Sequence, residues 1–143
     1  MRIKTLLILF AIIFSLTAKS QNIVTLSEDK NQITCQVTIY GVKEKKAMSA
    51  AEEALRYALF FRGIPDSQYC KNALVGTDEN FAAKHPEYFK EMFDKDRFST
   101  FITQSEFLEW IKKGKVSVIS FTVNIKALRL DLESQGVKRR FGL

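Results

Sequence analysis

Histidine and tryptophan each occur once in these 143 residues, cysteine and proline twice each, and glycine six times. Three of these scarcities each remove a class of chemistry. The lone His85 precedes Pro86 at what reads as a helix entry, so it cannot supply the paired imidazoles of a His-Glu-x-x-His zinc site. The few glycines form neither a phosphate-cradling loop nor a Gly-x-Ser-x-Gly nucleophile elbow. Cys35 and Cys70 stand far apart with no histidine beside either, which is not metal-ligand spacing. No cofactor is expected, and a non-enzymatic role is the first reading. Glu52-Glu53 and Glu87/Glu91 pair only as charged helix faces do, and the enzyme class they leave open is a carboxylate-pair hydrolase.

Long apolar runs are scarce as well. The one near-continuous run, Leu6 to Leu16, falls short of the ~20 residues of a membrane helix. With Arg2 and Lys4 before it and the small-x-small triplet Ala18-Lys19-Ser20 after it, it reads as a signal peptide, residues 1–20, cleaved near Ser20-Gln21. The alternative is an uncleaved anchor. No cysteine stands at the cleavage point, which argues against a lipid anchor, so the product is expected to be periplasmic or secreted. Losing Arg2, Lys4 and Lys19 lowers the net charge from +6 to +3, a weak basis for a nucleic-acid partner, and none is expected. Residues 21–143 suit a single domain with one core.

Within that domain, Ile33, Cys35, Val37 and Ile39 alternate with Thr34, Gln36, Thr38 and Tyr40, the period of a half-buried strand. After Gly41 the period lengthens. Ala47, Ala50 or Ala51, Ala54, Ala58 and Phe61 share one helical face from about Lys43, and Arg62, Gly63 and Pro65 stop the helix. Ser49 with Glu52 has the form of a capping box, so the first turn could start late. Before the strand, 21–31 reads equally as a short strand or a loose arm. Residues 64–96 form a helical insert, with one turn opening at Thr77-Asp78 and carrying Phe81 and Ala82. A helix entering at Pro86 follows, with Phe89, Met92 and Phe93 on one face.

Phe98 to Lys126 reads as a hairpin turning at Lys112-Lys113-Gly114-Lys115, although Gln104 to Lys112 also fits a helical turn. The second arm changes parity between Val118 and Ile119, which implies a bulge or burial on both faces. A helix from Lys126 to Gln135 with Leu128 and Leu132 inward, Gly136 as its cap, and a basic tail at 137–143 close the chain. The expected fold is α+β: a small β-α-(helical insert)-β-β-α domain with helices on one face of a mainly antiparallel sheet.

The run Val37-Thr38-Ile39-Tyr40-Gly41, then Lys45-Lys46-Ala47, then Ala51, Glu52, Ala54, Leu55, Arg56 and Ala58 resembles the N-terminal domain of flagellar assembly protein T and the lipoprotein-20-like envelope domains. The resemblance covers about thirty residues well and the C-terminal ββα by element order alone. The family's glycine-rich turn is reduced here to Gly41, and the lipobox cysteine of its lipoprotein members is absent. What the resemblance implies is an envelope interaction module without catalysis.

Three features point to contacts. Lys112, Lys113 and Lys115 at the hairpin turn, with Lys138, Arg139 and Arg140 in the tail, are candidates for weak contact with anionic membrane or polysaccharide. The twelve phenylalanines either fill the core or leave a patch for a protein partner in the envelope. Cys35 and Cys70 are candidates for one disulfide, because export favours oxidation and a helix running back from the strand would bring Cys70 near Cys35. The alternative function is a small ligand-binding protein or hydrolase with a pocket under the 64–96 insert.

Overall fold

The alternating residues of the first long strand behave as their period demands. Strand β2, Gln32–Tyr40, buries Ile33, Cys35, Val37 and Ile39 and leaves Thr34, Gln36 and Thr38 half-buried on its other side. The computed structural model describes residues 21–76 and 83–137. The expected signal peptide at 1–20, the expected turn at Thr77-Asp78 with Phe81 and Ala82, and the tail residues Lys138, Arg139 and Arg140 lie outside the described residues.

Strand β1, Gln21–Glu28, pairs antiparallel with β2, so the segment before β2 is a strand rather than a loose arm. Strand β3, Ile102–Ile111, and strand β4, Val116–Asn124, form the hairpin, and the sheet order is β1-β2-β4-β3. The helical alternative for Gln104 to Lys112 does not occur. Phe98 and Phe101 belong to a 3-10 turn, Arg97–Phe101, that precedes β3, so the hairpin begins later than the sequence suggested. β4 pairs with β2 in unbroken register from Gln32↔Asn124 to Tyr40↔Val116, which removes the expected bulge. Its parity change has another cause. Ser117 occupies the covered face beside Ile119, Phe121 and Val123, while Val116 and Val118 sit half-buried on the opposite face. The register shifts fall on the outer strands instead, at Thr25/Ser27, Ile102/Gln104 and Phe107/Glu109, where there is a free edge to absorb them.

Helix α1, Glu44–Tyr57, lays Ala47, Ala51 and Ala54 on the sheet, with Ala58 buried just past its end, and these small side chains let the backbones approach closely. It begins directly after Lys43, so Ser49 is interior and no capping box forms. An early start is required because Ala47 must already be helical to reach the core. The helix widens into a π-type turn over Ala58–Arg62 and stops at Gly63, whose φ is +84°. The chain then folds back on it, and the N–H groups of Leu74 and Val75 donate to the last-turn carbonyls of Leu59 and Phe60 at 2.8 and 2.9 Å.

Helix α2, Pro86–Phe89, opens with proline at its first turn and continues as a π-type turn over Lys90–Asp94. Helix α3, Ile125–Ser134, is capped by Asn124, whose side chain accepts from the Ala127 N–H at 3.0 Å. After α3, Gly136 takes φ +70° and the Val137 N–H returns to the Leu132 carbonyl at 3.0 Å. The aromatic surplus is core in the described residues. Phe60 meets Phe89, Phe93 and Phe98 at centroid distances of 6.2, 5.3 and 6.2 Å, and Phe61 stacks on Phe89 and Phe93. Among the described residues the exposed aromatic side chains are tyrosines, Tyr40, Tyr57 and Tyr69.

Candidate functional site: the lysine-rich end of the open sheet face

With all described helices on one face, the sheet presents its other face uncovered. Along β2 and β4 that face is mostly threonine, serine and glutamine, and the hydroxyls of Thr34 and Thr122 bond across the strands at 2.9 Å. Its character changes at the hairpin end. There Tyr40, Val116 and Ile111 stand side by side across β2, β4 and β3, with Tyr40 44% and Ile111 42% exposed. The Gly41 N–H donates to the Lys115 carbonyl at 2.9 Å, which ties the start of α1 to the hairpin turn. That bond brings together two lysine groups that the sequence keeps seventy residues apart: Lys43, Lys45 and Lys46 at the head of α1, and Lys112, Lys113 and Lys115 at the turn. All six are exposed, against Glu44 and Glu109 as the nearby acids on these same segments. The hairpin lysines were legible as a candidate contact, whereas in the sequence Lys43 marked only the approximate helix start and Lys45 and Lys46 only part of the family resemblance. Only the strand register makes them neighbours.

A second cluster lies where α1 meets the end of the insert. Arg56 is buried, reaches Asp96 at 3.5 Å and places its guanidinium 4.9 Å from the centre of the Phe93 ring. Its Nε has no hydrogen-bond partner, and neither has Glu52 Oε1 from any ordinary donor. The group facing Glu52 is the Asp96 carboxyl, so the contact is satisfied only when one of the two holds a proton. Burial, then the hydrogen bond and charge of Asp96, push Glu52 up to about 7, with Arg56 opposing. Asp96 itself is held at φ +54°, a left-handed conformation that a non-glycine residue adopts at some cost. Ser49, Glu52, Glu53, Arg56, Phe93 and Asp96 line an open cavity of about 210 Å³ there. Carboxyls in hydrogen-bond contact are closer than the ~5 Å separation that glycosidic cleavage uses. Two carboxyls beside a guanidinium are also poor cation ligands, and no group of three or more candidate metal ligands occurs among the described residues.

Cys35 and Cys70 are both buried, and no disulfide joins them in the structure. They do share a region. Thr25, the cross-strand partner of Cys35, bonds Asp66 through its N–H and hydroxyl at 2.9 and 2.8 Å, while Ser67 accepts from the Cys70 N–H at 2.8 Å. Burial, and next the neighbouring Cys70, push the Cys35 thiol up to about 12. Burial likewise raises Cys70, against the opposing influence of Arg129 and Ser67. The turn at Ser67 is anchored in addition by Glu28, which accepts from the Ser67 hydroxyl and the Gln68 N–H. Burial acts to raise the Glu28 pKa, but these hydrogen bonds outweigh it and leave the pKa lowered. His85 sits ahead of α2 and makes no side-chain cap.

Comparison with known protein families, characterised proteins and solved structures returns no match. No described helix is long and apolar enough to cross a membrane.

Proposed function

We propose that the chain is an exported, non-enzymatic binding module of the cell envelope that engages a partner there through the lysine-rich end of its sheet. The observation that carries this reading is the gathering of six exposed lysines at the hairpin end of the sheet, where the Gly41–Lys115 hydrogen bond joins the start of α1 to the turn beside the Tyr40, Val116 and Ile111 row. Export rests on the basic start, apolar run and Ala18-Lys19-Ser20 of the leader, and the resemblance of the β2–α1 segment to envelope domains agrees with it. The same end offers charge for attraction and an aromatic for contact, the two ingredients of a surface that binds without a deep cleft. A photo-crosslinking residue placed at Lys113, in the chain expressed in a bacterium, should give an adduct with an envelope component, and the same residue at Glu91 should not. Adducts from Glu91 alone would overturn the reading, as would retention of the uncleaved chain in the cytoplasm.

The cavity at Glu52, Arg56 and Asp96 favours a second reading, a small-ligand binder whose site lies against the end of the insert. A ligand donating to Glu52 Oε1 and accepting from Arg56 Nε would give an ordinary hydrogen bond to two atoms that lack one. Saturable binding that Arg56→Leu abolishes, with the hairpin lysines irrelevant, would favour this reading over the first.

A further inference from the structure

We infer that the partner of the lysine-rich end is the surface of an anionic phospholipid bilayer, an inference that rests on the reading of that end as the contact site. Four observations converge on a lipid surface rather than a folded acidic protein.

The lysines are held where local rules oppose them. Lys43 is the cap residue of α1, and Lys45 and Lys46 lie in its first turn with Glu44 as the acid there, although the positive end of the helix dipole disfavours cations. Lys115 sits at φ +50°, a conformation glycine would adopt without strain. Concentrating cations where the dipole and their mutual repulsion both act against folding gains nothing within the domain. It makes sense where an external anion offsets the repulsion.

The charge is all lysine. Residues 40–46 and 109–116 contain no arginine, the side chain suited to planar two-point recognition of a defined carboxylate. Lysine supplies a mobile point charge on a long stem, which suits a diffuse, laterally fluid anionic surface.

Apolar groups stand in the same row. Tyr40 and Ile111 are exposed at the same end of the sheet as the lysines, and tyrosine suits the interfacial zone, its ring apolar and its hydroxyl wet. The shape of the site also fits. The end is a hairpin turn and a helix start, and two cavities of about 210 Å³ in the described residues lie elsewhere, one at Asn22, Ala58 and Arg62 and the other at Glu52 and Asp96. A turn and a helix start meet a plane more readily than they enclose a small ligand.

The test is co-sedimentation of the full mature chain with vesicles of phosphatidylcholine alone and of phosphatidylcholine doped with phosphatidylglycerol. Binding is expected to the doped vesicles only and to weaken with added salt. Lys112→Gln, Lys113→Gln and Lys115→Gln together should lower the partition on the order of 100-fold. A control removing the same charge from the insert, at Lys71, Lys90 and Lys95, should bind like the parent. Lys115→Gly separates function from folding: it should melt no lower than the parent yet bind the doped vesicles several-fold more weakly. Equal sedimentation with both vesicle types would overturn the inference, as would equal losses in the insert control. A parallel column of immobilised polyglutamate distinguishes the levels of failure. Retention there that the hairpin variant loses, with no vesicle binding, overturns the lipid and leaves the site intact. Retention on neither overturns both.

Discussion

Replacing Gly63 by alanine should be among the most damaging single-methyl changes this domain can suffer, and Gly41→Ala is its natural control. Both glycines have positive φ, +84° and +76°, so both substitutions incur the left-handed penalty of ~1–2 kcal/mol. At Gly41 nothing lies within 4 Å of the added Cβ, and that penalty is the whole cost. At Gly63 the Cβ would stand 2.2 Å from the Lys71 carbonyl oxygen, 2.9 Å from its carbon and 3.2 Å from the Ala73 nitrogen. These are backbone atoms, and the segment carrying them is pinned on both sides. The Ile64 N–H reaches the Cys70 carbonyl at 2.8 Å, and Leu74 and Val75 bond back to α1 and are buried. Relief means giving up two or three of those bonds at ~1 kcal/mol each, or part of the burial of Leu74 and Val75 at a similar cost. The sum is ~4 kcal/mol for Gly63→Ala against ~1–2 kcal/mol for Gly41→Ala, a large share of the ~5–15 kcal/mol that holds a domain together. Urea unfolding of both variants, followed by circular dichroism and by the fluorescence of Trp110, measures the difference. Equal midpoints would refute the close approach of residues 71–73 to Gly63, and with it the placement of the first half of the insert.

Glu52 predicts a pH effect whose sign follows from its raised pKa: the folded state binds a proton more tightly than the unfolded chain does. Stability is therefore full below about 4.5 and falls as pH rises toward about 7, by ~1 kcal/mol once partial exposure is allowed for, and Glu52→Gln should flatten that slope in pH-dependent melting. Both cysteines should resist a thiol reagent at pH 8 in the native state, and denatured, unreduced protein should titrate as two thiols; a count of zero would establish the disulfide instead. Ser117→Ala should raise the urea midpoint, because the Ser117 hydroxyl is buried without a partner and removing it gains ~1 kcal/mol.

The α+β class, the β2–α1 unit and the stop at Gly63 were legible because each is local: period two, then a spaced alanine stripe, then a glycine that takes positive φ. β1 was ambiguous because an edge strand with one weakly apolar side carries little alternation. The β4 parity change misled because it was read from hydrophobicity alone, and Ser117 is a polar residue at a covered position. The candidate site was half visible. A lysine-rich turn announces itself in sequence, but its apposition to Lys43, Lys45 and Lys46 depends on β2 and β4 pairing so that Tyr40 meets Val116. The Glu52–Asp96 contact was hidden for a similar reason. It joins α1 to the end of an insert whose path follows from the fold-back at Gly63 and the packing of Phe60 against Phe89, Phe93 and Phe98.

Amide hydrogen exchange of the mature chain, free and bound to isolated bacterial envelope membranes, tests most directly whether the lysine-rich end is the contact surface. Added protection is expected at 40–46 and 110–118 alone, lost when salt releases the protein. Added protection at 49–56 and 86–97, with 40–46 and 110–118 unchanged, would contradict it and move the site to the cavity beside Asp96.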